Sequence, residues 1–148
     1  MARWLGIDHG TKRIGIASGS TQDAIASPIA VIEADPLRDA LESILKLAGE
    51  YRAEGIVVGW PLNMDDSEGP QGKLARDMAA TLAEQSRLDV RLWDERLSSF
   101  VADQALAGKL TRKKKKARQD AVAAAVILQD FFSRGGVESA PSPGEISD

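Results

Sequence analysis

The chain opens with short apolar segments separated by polar turns, which is the pattern of a β-hairpin. An apolar run over residues 4–7 ends at Asp8, and a polar turn containing Gly10 leads to a second run over residues 14–17. A third run, residues 28–32, follows a turn rich in Gly and Ser, and its leading proline suits a strand start or an edge strand. The pattern therefore predicts three consecutive strands joined by short turns.

The rest of the chain alternates helical and extended patterns. Apolar residues at helical spacing predict an amphipathic helix from an N-cap at Asp35 to about Glu54. The uninterrupted apolar run 56–60 is typical of a central strand covered on both faces. The pattern then predicts, in chain order, a helix beginning near Pro70 with Leu74, Met78 and Leu82 in one row, a strand over residues 90–93, a helix from Ser98 to about Ala107, and a last helix opening at Asp120.

This order of elements favours an α/β fold with a mixed five-stranded sheet and helices on both faces, in three layers. We expect one domain over residues 1–134 and a disordered acidic tail over 135–148, which is rich in Ser, Pro and Gly. The sequence has no cysteine, no signal-like start and no run of 18 apolar residues. These features predict a soluble cytoplasmic protein without a membrane partner.

The net charge of −3 hides an uneven distribution. Residues 1–108 carry 11 Lys or Arg against 17 Asp or Glu, whereas residues 109–118 carry seven cations and no anion. Such a block is most often a solvated loop, but beside an active site it would attract a nucleic-acid backbone. Its members are Lys109, Arg112, Lys113, Lys114, Lys115, Lys116 and Arg118.

Three carboxylates stand where the predicted topology brings element ends together. Asp8 ends the first strand, Glu95 ends the last, and Asp120 opens the last helix. If the first and last strands are parallel neighbours, Asp8 and Glu95 converge at one sheet edge and Asp120 can join them. Clustered carboxylates repel one another unless a cation neutralises them, and oxygen ligands favour Mg²⁺ or Mn²⁺. The three acids are therefore candidate metal ligands and catalytic residues of a phosphodiesterase.

Each acid also has an ordinary explanation. Asp8 suits a turn after a strand, Asp120 suits a helix cap, and Glu95 suits surface charge. Their joint occurrence at converging ends favours the functional interpretation.

Four motifs resemble the YqgF family of bacterial ribonuclease H-like proteins, described as Holliday junction resolvases and as nucleases that mature the 5′ end of pre-16S rRNA. The motifs are GIDHGTKRIGIA at 6–17, VGWPLNMDDSEG at 58–69, DERLSS at 94–99, and DAVAA at 120–124 with ILQ at 127–129. The resemblance implies the ribonuclease H-like fold and a metal-binding set of Asp8, Glu95 and Asp120. Trp60 stands where the family usually has an aliphatic residue.

The same resemblance assigns the polar loops to nucleic-acid binding. Backbone amides near a helix start and bidentate guanidinium groups are suited to phosphates. The residues implied are Lys12, Arg13, Asn63, Arg76 and Arg96, with Arg112, Lys113, Lys114, Lys115 and Lys116 from the basic block. His9, the single histidine, stands beside Asp8 as a weaker candidate.

We therefore expect a Mg²⁺- or Mn²⁺-dependent endonuclease acting on structured RNA, with pre-16S rRNA favoured, or on branched DNA as a junction resolvase. Resolving a junction calls for a homodimer, whereas trimming a precursor RNA can be done by a monomer. A nucleic-acid-binding module without catalysis is the alternative. Nucleotide binding in the manner of actin-like ATPases and sugar kinases is disfavoured because 148 residues leave no room for a second lobe.

Overall fold

The computed structural model describes residues 2–95 and 112–146, with side chains given from residue 120 onward in the second range. It contains strands β1 (Arg3–His9), β2 (Arg13–Ser20), β3 (Ile25–Glu33), β4 (Gly55–Trp60) and β5 (Asp89–Asp94). The helices are α1 (Leu37–Glu50), α2 (Pro70–Ser86), α3 (Arg112–Ser133) and α4 (Gly136–Ser139), followed by a 3₁₀ turn (Pro143–Glu145). The helix predicted from Ser98 lies outside the described residues.

The five strands form one mixed sheet in the order β3-β2-β1-β4-β5. The first three strands pair antiparallel, and β1, β4 and β5 run parallel. This arrangement confirms the predicted sheet. It also places the parallel carboxyl ends of three strands at one edge, where ligand sites of such sheets lie.

Helices cover both faces of the sheet, as the sequence predicts. On one face, apolar side chains of the sheet such as Ile7 and Val58 pack with Ile44 of α1 and Leu82 of α2. On the other face Val57 and neighbouring residues pack against α3, whose buried residues include Leu128 and Phe131. Among the described residues no helix is long and apolar enough to cross a membrane.

Several predicted boundaries differ from the structure. Strand β3 begins at Ile25 rather than Pro28, and α1 has its N-cap at Pro36 rather than Asp35, without a side-chain capping bond. Helix α1 ends at Glu50, and Leu74 of α2 is exposed because the small residues Ala75 and Ala79 face the sheet instead.

The last long helix begins well before its predicted start. It starts at Arg112, so Asp120 lies in its third turn rather than at its N-terminus, and the prediction of a cap position is wrong. The basic residues 112–116 are helical in backbone rather than a loop. Lys and Arg are good helix formers, and the apolar pattern that marks a buried helix appears only where α3 reaches the sheet.

The tail is packed in the structure up to residue 146, unlike the predicted disorder. β5 lies at the sheet edge, and its Leu92 N–H donates to the carbonyl of Pro141 at 2.9 Å. The Arg91 guanidinium donates to the carbonyl of Ala140 at 2.6 Å, and Ala140 is buried. Ile146 packs against the core on the α2 side. The tail thus pairs the Leu92 N–H of the edge strand β5, which would otherwise lack a partner in the sheet.

Truncation after Gly135 is expected to lower the free energy of unfolding by about 2 kcal/mol, because apolar burial and edge hydrogen bonds are lost. Urea unfolding of the truncated and full chains measures this change. Glu138→Gln, which alters an exposed tail carboxylate, is the control. An unchanged urea midpoint after truncation would contradict the packed tail.

Candidate active site

Asp8 stands near the end of β1 with a glycine beside it on each neighbouring strand. Asp8 is paired with Gly15 of β2. On the other side Ile7 is paired with Val58 of β4, so the next residue of that strand, Gly59, lies alongside Asp8. Side chains alternate along a strand, and partners across strands share a face. The Asp8 carboxyl therefore has no side chain next to it in either adjacent strand.

The space at Gly59 is filled by Glu95. A Cβ built on Gly59 would overlap the Glu95 carboxylate and lie 2.7 Å from Ile127 Cδ1. The Glu95 N–H donates to the carbonyl of Trp60 at 3.3 Å, which fixes the chain as it leaves β5. The first and last strands run parallel as expected but are not neighbours, because β4 lies between them. Glu95 reaches Asp8 across the bare backbone of β4.

The space at Gly15 is filled by the backbone of α3. A Cβ on Gly15 would overlap the carbonyl oxygen of Asp120, so the helix lies directly on β2 at this point. This contact brings Asp120 close enough to Asp8 for their charges to interact. The Asp120 carboxylate itself accepts a hydrogen bond from Arg13 Nε at 2.7 Å. Arg13, a predicted nucleic-acid-binding residue, is thus the ion-pair partner of Asp120 in this structure.

The Asp8 and Glu95 carboxyl groups share a proton. Burial raises the pKa of Asp8 to about 6, and the charge of Asp120 adds to the increase. Burial raises the pKa of Glu95 to about 8, with further contributions from the charge of Asp8 and the hydrogen bond between the two groups. Near neutral pH the pair therefore holds one proton, with Glu95 as donor and Asp8 as acceptor.

Among the side chains that the structure describes, no group of three acids or histidines is close enough to form a complete metal site. Two half-buried carboxylates that repel each other nevertheless fit Mg²⁺, which commonly binds one or two protein carboxylates and keeps several waters. Asp120, held by Arg13, stands next to the pair and is the candidate third ligand. The donor set is entirely oxygen, which disfavours zinc.

The loop that follows β4 is closely tied to α2. Asn63 Nδ2 donates to Ser67 Oγ at 2.9 Å, within the loop. Arg76 makes a bidentate ion pair with Glu68, its Nε and Nη2 donating at 3.0 and 2.9 Å. Arg76 therefore holds this loop to α2 in the structure, and its predicted contact with phosphate stays a prediction. Sequence reasoning missed Glu68 as its partner.

The remaining residues predicted for the site lie in different parts of the chain. Lys12 is exposed in the β1–β2 turn. His9 is on the side of β1 opposite Asp8. Its Nδ1 is buried and has no hydrogen-bond partner among the residues that the structure describes, and burial lowers the pKa of its imidazole. Arg96 lies outside the described residues, as do the side chains of Arg112, Lys113, Lys114, Lys115 and Lys116.

The family model described as "RuvX: Holliday junction resolvase" matches residues 2–134. The chain belongs to the RuvX family. RuvX is also called YqgF, so the match confirms the family resemblance of the four sequence motifs.

Relatives of this RuvX chain carry the name "Putative pre-16S rRNA nuclease", among them the following two. The protein of Opitutus terrae is 44% identical over 147 residues, which cover 97% of this chain and 99% of the relative. The protein of Geobacillus kaustophilus is 40% identical over 133 residues, 88% of this chain and 96% of that one.

A solved structure of RuvC from Thermus thermophilus with a Holliday junction substrate has the same fold as this RuvX chain. The TM-score is 0.57 at 17% identity, and the likeness covers 95% of this chain and 100% of RuvC. At this identity the likeness shows the fold alone, which confirms the predicted ribonuclease H-like architecture.

The two glycines beside Asp8 should differ in their tolerance of a side chain. Gly15→Ala is expected to cost about 3 kcal/mol of unfolding free energy, because its methyl group meets the backbone of α3, which must move. Gly59→Ala should cost about 1 kcal/mol, because the groups it meets are the flexible ends of Glu95 and Ile127.

Urea unfolding of the two variants tests this order. Gly49→Ala is the control, since a Cβ there meets no described residue within 4 Å and a helical alanine is neutral or stabilising. Equal losses for Gly15→Ala and Gly59→Ala would contradict the proposed close approach of α3 at Gly15.

The stability of the metal-free protein should fall as pH rises from about 5 to 9. The pKa of Asp8 is about 6 and that of Glu95 is about 8, both above their ordinary values, so folding favours the protonated forms of these groups. That contribution is complete below the unfolded pKa near 4 and is lost as pH passes through the two folded values. The expected loss is roughly 2–4 kcal/mol, since the groups share a proton and their shifts do not add.

Urea unfolding in EDTA across this pH range measures the loss. Asp8→Asn should flatten the profile, because it removes one titrating group and its repulsion of Glu95. Glu42→Gln, at an exposed position of α1, should leave the slope unchanged. A wild-type profile that is flat or rises over this range would contradict the shared proton.

Proposed function

We propose that this RuvX-family protein is a metal-dependent endonuclease that hydrolyses phosphodiester bonds in structured nucleic acid, with the 5′ end of pre-16S rRNA as its substrate. The observation that carries the proposal is the convergence of Asp8 and Glu95 across Gly59, with Asp120 brought beside them over Gly15. Perturbed carboxyl groups at the ends of parallel strands are typical of active sites. The names of the relatives support the choice of RNA, and RNA processing would place the protein in the cytoplasm.

Asp8 and Glu95 would hold Mg²⁺ or Mn²⁺, with Asp120 as the third ligand. When bound, the metal would lower the pKa of a coordinated water and stabilise the leaving oxygen of the phosphodiester. For the carboxyl pair to serve as ligands, Glu95 must lose the proton it shares with Asp8, which a dication favours.

Arg13 has a defined part in this proposal. It neutralises Asp120 through the 2.7 Å ion pair, and it begins β2 at the same sheet edge as Asp8. A guanidinium binds phosphate in the same planar geometry as a carboxylate. We infer that an incoming phosphate competes for Arg13 and releases Asp120 towards the other two acids.

Junction resolution is the second candidate function. It is supported by the description of the family model, which names a Holliday junction resolvase. Cutting both strands of a junction symmetrically would need two copies of this single site, and therefore a homodimer. Sedimentation of the pure protein with and without junction DNA measures the oligomeric state directly.

Asp8→Asn is expected to lower the cleavage rate with Mg²⁺ at least about a hundredfold, since an amide is a poor metal ligand and carries no negative charge. Binding of nucleic acid should change little. Asp39→Asn, on the exposed side of α1, is the matched control and should cut like the wild type.

The measurement compares a precursor 16S rRNA fragment with a four-way DNA junction, each with Mg²⁺, Mn²⁺ or EDTA. Cleavage of the RNA alone would support the proposed substrate, and cleavage of the junction alone would support the second candidate. Binding of both without cleavage would identify a binding module. Wild-type rates for Asp8→Asn would overturn the assignment of the site.

A further inference from the structure

Helix α3 crosses the sheet and meets four of its strands in their spatial order. The contacts, from β2 to β5, are Asp120 over Gly15, Ala124 over Gly6, Ile127 over Gly59, and Asp130 with Trp93. Asp120 and Asp130 are ten residues apart, which is about 15 Å along a helix. One helix therefore carries a candidate metal ligand at one end of its contact with the sheet and a bond to the edge strand at the other.

Asp130 binds the edge strand β5 to this helix. Its Oδ2 accepts a hydrogen bond from Trp93 Nε1 at 2.9 Å, and its Oδ1 pairs with Arg134 Nε at 2.8 Å. The Asp130 side chain is 21% exposed, whereas that of Arg134 is 55% exposed. The Trp93 indole also makes an edge-to-face contact with the Phe131 ring, with the ring centroids 5.7 Å apart. The hydrogen bond and the ring contact together fix the orientation of the indole.

Trp93 lies beside the space that Glu95 occupies. It is paired with Gly59 across β4 and β5, so its side chain is on the same face of the sheet as a Cβ of that glycine would be. The Glu95 carboxylate lies over Gly59, next to Ile127 Cδ1. This carboxylate thus has an apolar side chain of α3 on one side and the strand that carries Trp93 on another. Such surroundings agree with burial as the chief cause of the raised pKa of Glu95.

A carboxylate on the buried side of a helix needs a reason. Asp120 and Asp130 are the only charged residues between positions 120 and 133. Removing a charge from water costs free energy, and an apolar residue would pack against the sheet without that cost. What the Asp130 carboxylate provides, and an apolar residue would not, is an acceptor for the Trp93 indole. Its role is therefore to orient Trp93 rather than to add to the apolar packing of α3.

We infer that Asp130 is a positioning residue for the candidate active site: by holding the Trp93 indole against α3, it keeps the end of β5 in place and Glu95 over Gly59, within reach of Asp8. This inference rests on the proposed metal-dependent function, in which Asp8 and Glu95 hold the ion together. Asp130 acts through Trp93 and the backbone of β5, and not as a ligand of the ion. Because α3 also carries Asp120, one helix sets the positions of two of the three acids.

Trp93→Phe and Asp130→Leu test the inference from the two sides of the hydrogen bond. Phenylalanine keeps an aromatic ring but has no N–H, and leucine is a good helix former without a side-chain acceptor. In each variant we expect the Glu95 amide, which donates to the Trp60 carbonyl, to exchange with deuterium about tenfold faster in metal-free protein. We also expect Mn²⁺ to bind about tenfold more weakly by calorimetry, because residues that orient metal ligands commonly change affinity by that factor.

Asp130→Asn separates the hydrogen bond from the charge. Asparagine keeps an acceptor oxygen for the indole N–H but ends the ion pair with Arg134, so this conservative variant should restore the wild-type exchange rate and Mn²⁺ affinity. Arg134→Gln, which breaks the same ion pair from its exposed side, is the matched control. The double variant Trp93→Phe with Asp130→Leu should bind Mn²⁺ no more weakly than either single variant, because both changes remove one bond.

Urea unfolding of every variant distinguishes positioning from a general loss of stability, since exchange and Mn²⁺ affinity are measured without urea, where the variants are folded. Asp130→Leu that is less stable but unchanged in Glu95 exchange would overturn the inference. Faster exchange with an unchanged Mn²⁺ affinity would overturn the role of Asp130 in metal binding. Losses in Asp130→Asn as large as in Asp130→Leu would overturn the role of the hydrogen bond. If the wild-type chain binds no Mn²⁺, the proposed function fails, and the exchange of the Glu95 amide still decides whether Asp130 positions this residue.

Discussion

Asp8 lies between two strands that each carry a glycine beside it, and the candidate site depends on the space those glycines leave. At Gly59 the space admits the carboxylate of Glu95, which directly follows β5, two strands away from β1. At Gly15 it admits the backbone of α3, which carries Asp120. A methyl group at either position would meet one of these acids, so the sheet's own backbone determines how closely the three carboxylates approach.

This closeness is electrostatically unfavourable for the metal-free protein. Asp8 and Glu95 are half-buried, and the cost appears as pKa values of about 6 for Asp8 and about 8 for Glu95, raised chiefly by burial. Arg13 offsets part of the repulsion by pairing with Asp120. A buried carboxyl pair is a poor source of stability. Its presence is better explained by a function that requires the two groups together.

Sequence patterns predicted the elements well because the chain's periodicities are simple. Apolar runs and their spacing predict that Asp8 and Glu95 lie near the ends of strands. They also predict the helices on both faces of the sheet. The order of the strands does not follow from such local signals, so the sequence could not show that β4 separates the two acids. The role of Gly59 became visible only with that order, although its place in a family motif was already a signal.

Other differences arise where a distant partner decides the structure. Arg76 has the character of a phosphate ligand by sequence, but the partner that engages it, Glu68, lies in the preceding loop. The tail has the composition of a disordered segment, yet the unpaired edge of β5 supplies it with hydrogen bonds through Pro141. The composition of a segment indicates how it behaves on its own. It showed neither Glu68 as the partner of Arg76 nor the edge of β5 as the partner of the tail.

The early start of α3 also changes how the net charge of −3 bears on a polyanionic substrate. The basic residues 112–116 and Asp120 belong to one helix, so their backbone positions relative to Asp120 are fixed rather than those of a loose loop. Residue 116 is four positions before Asp120, about one helical turn or 6 Å along the axis. A cationic segment held at this distance acts on the local potential of the site, which the sum over the whole chain does not describe. A negative net charge is therefore compatible with binding a nucleic-acid backbone at this edge of the sheet.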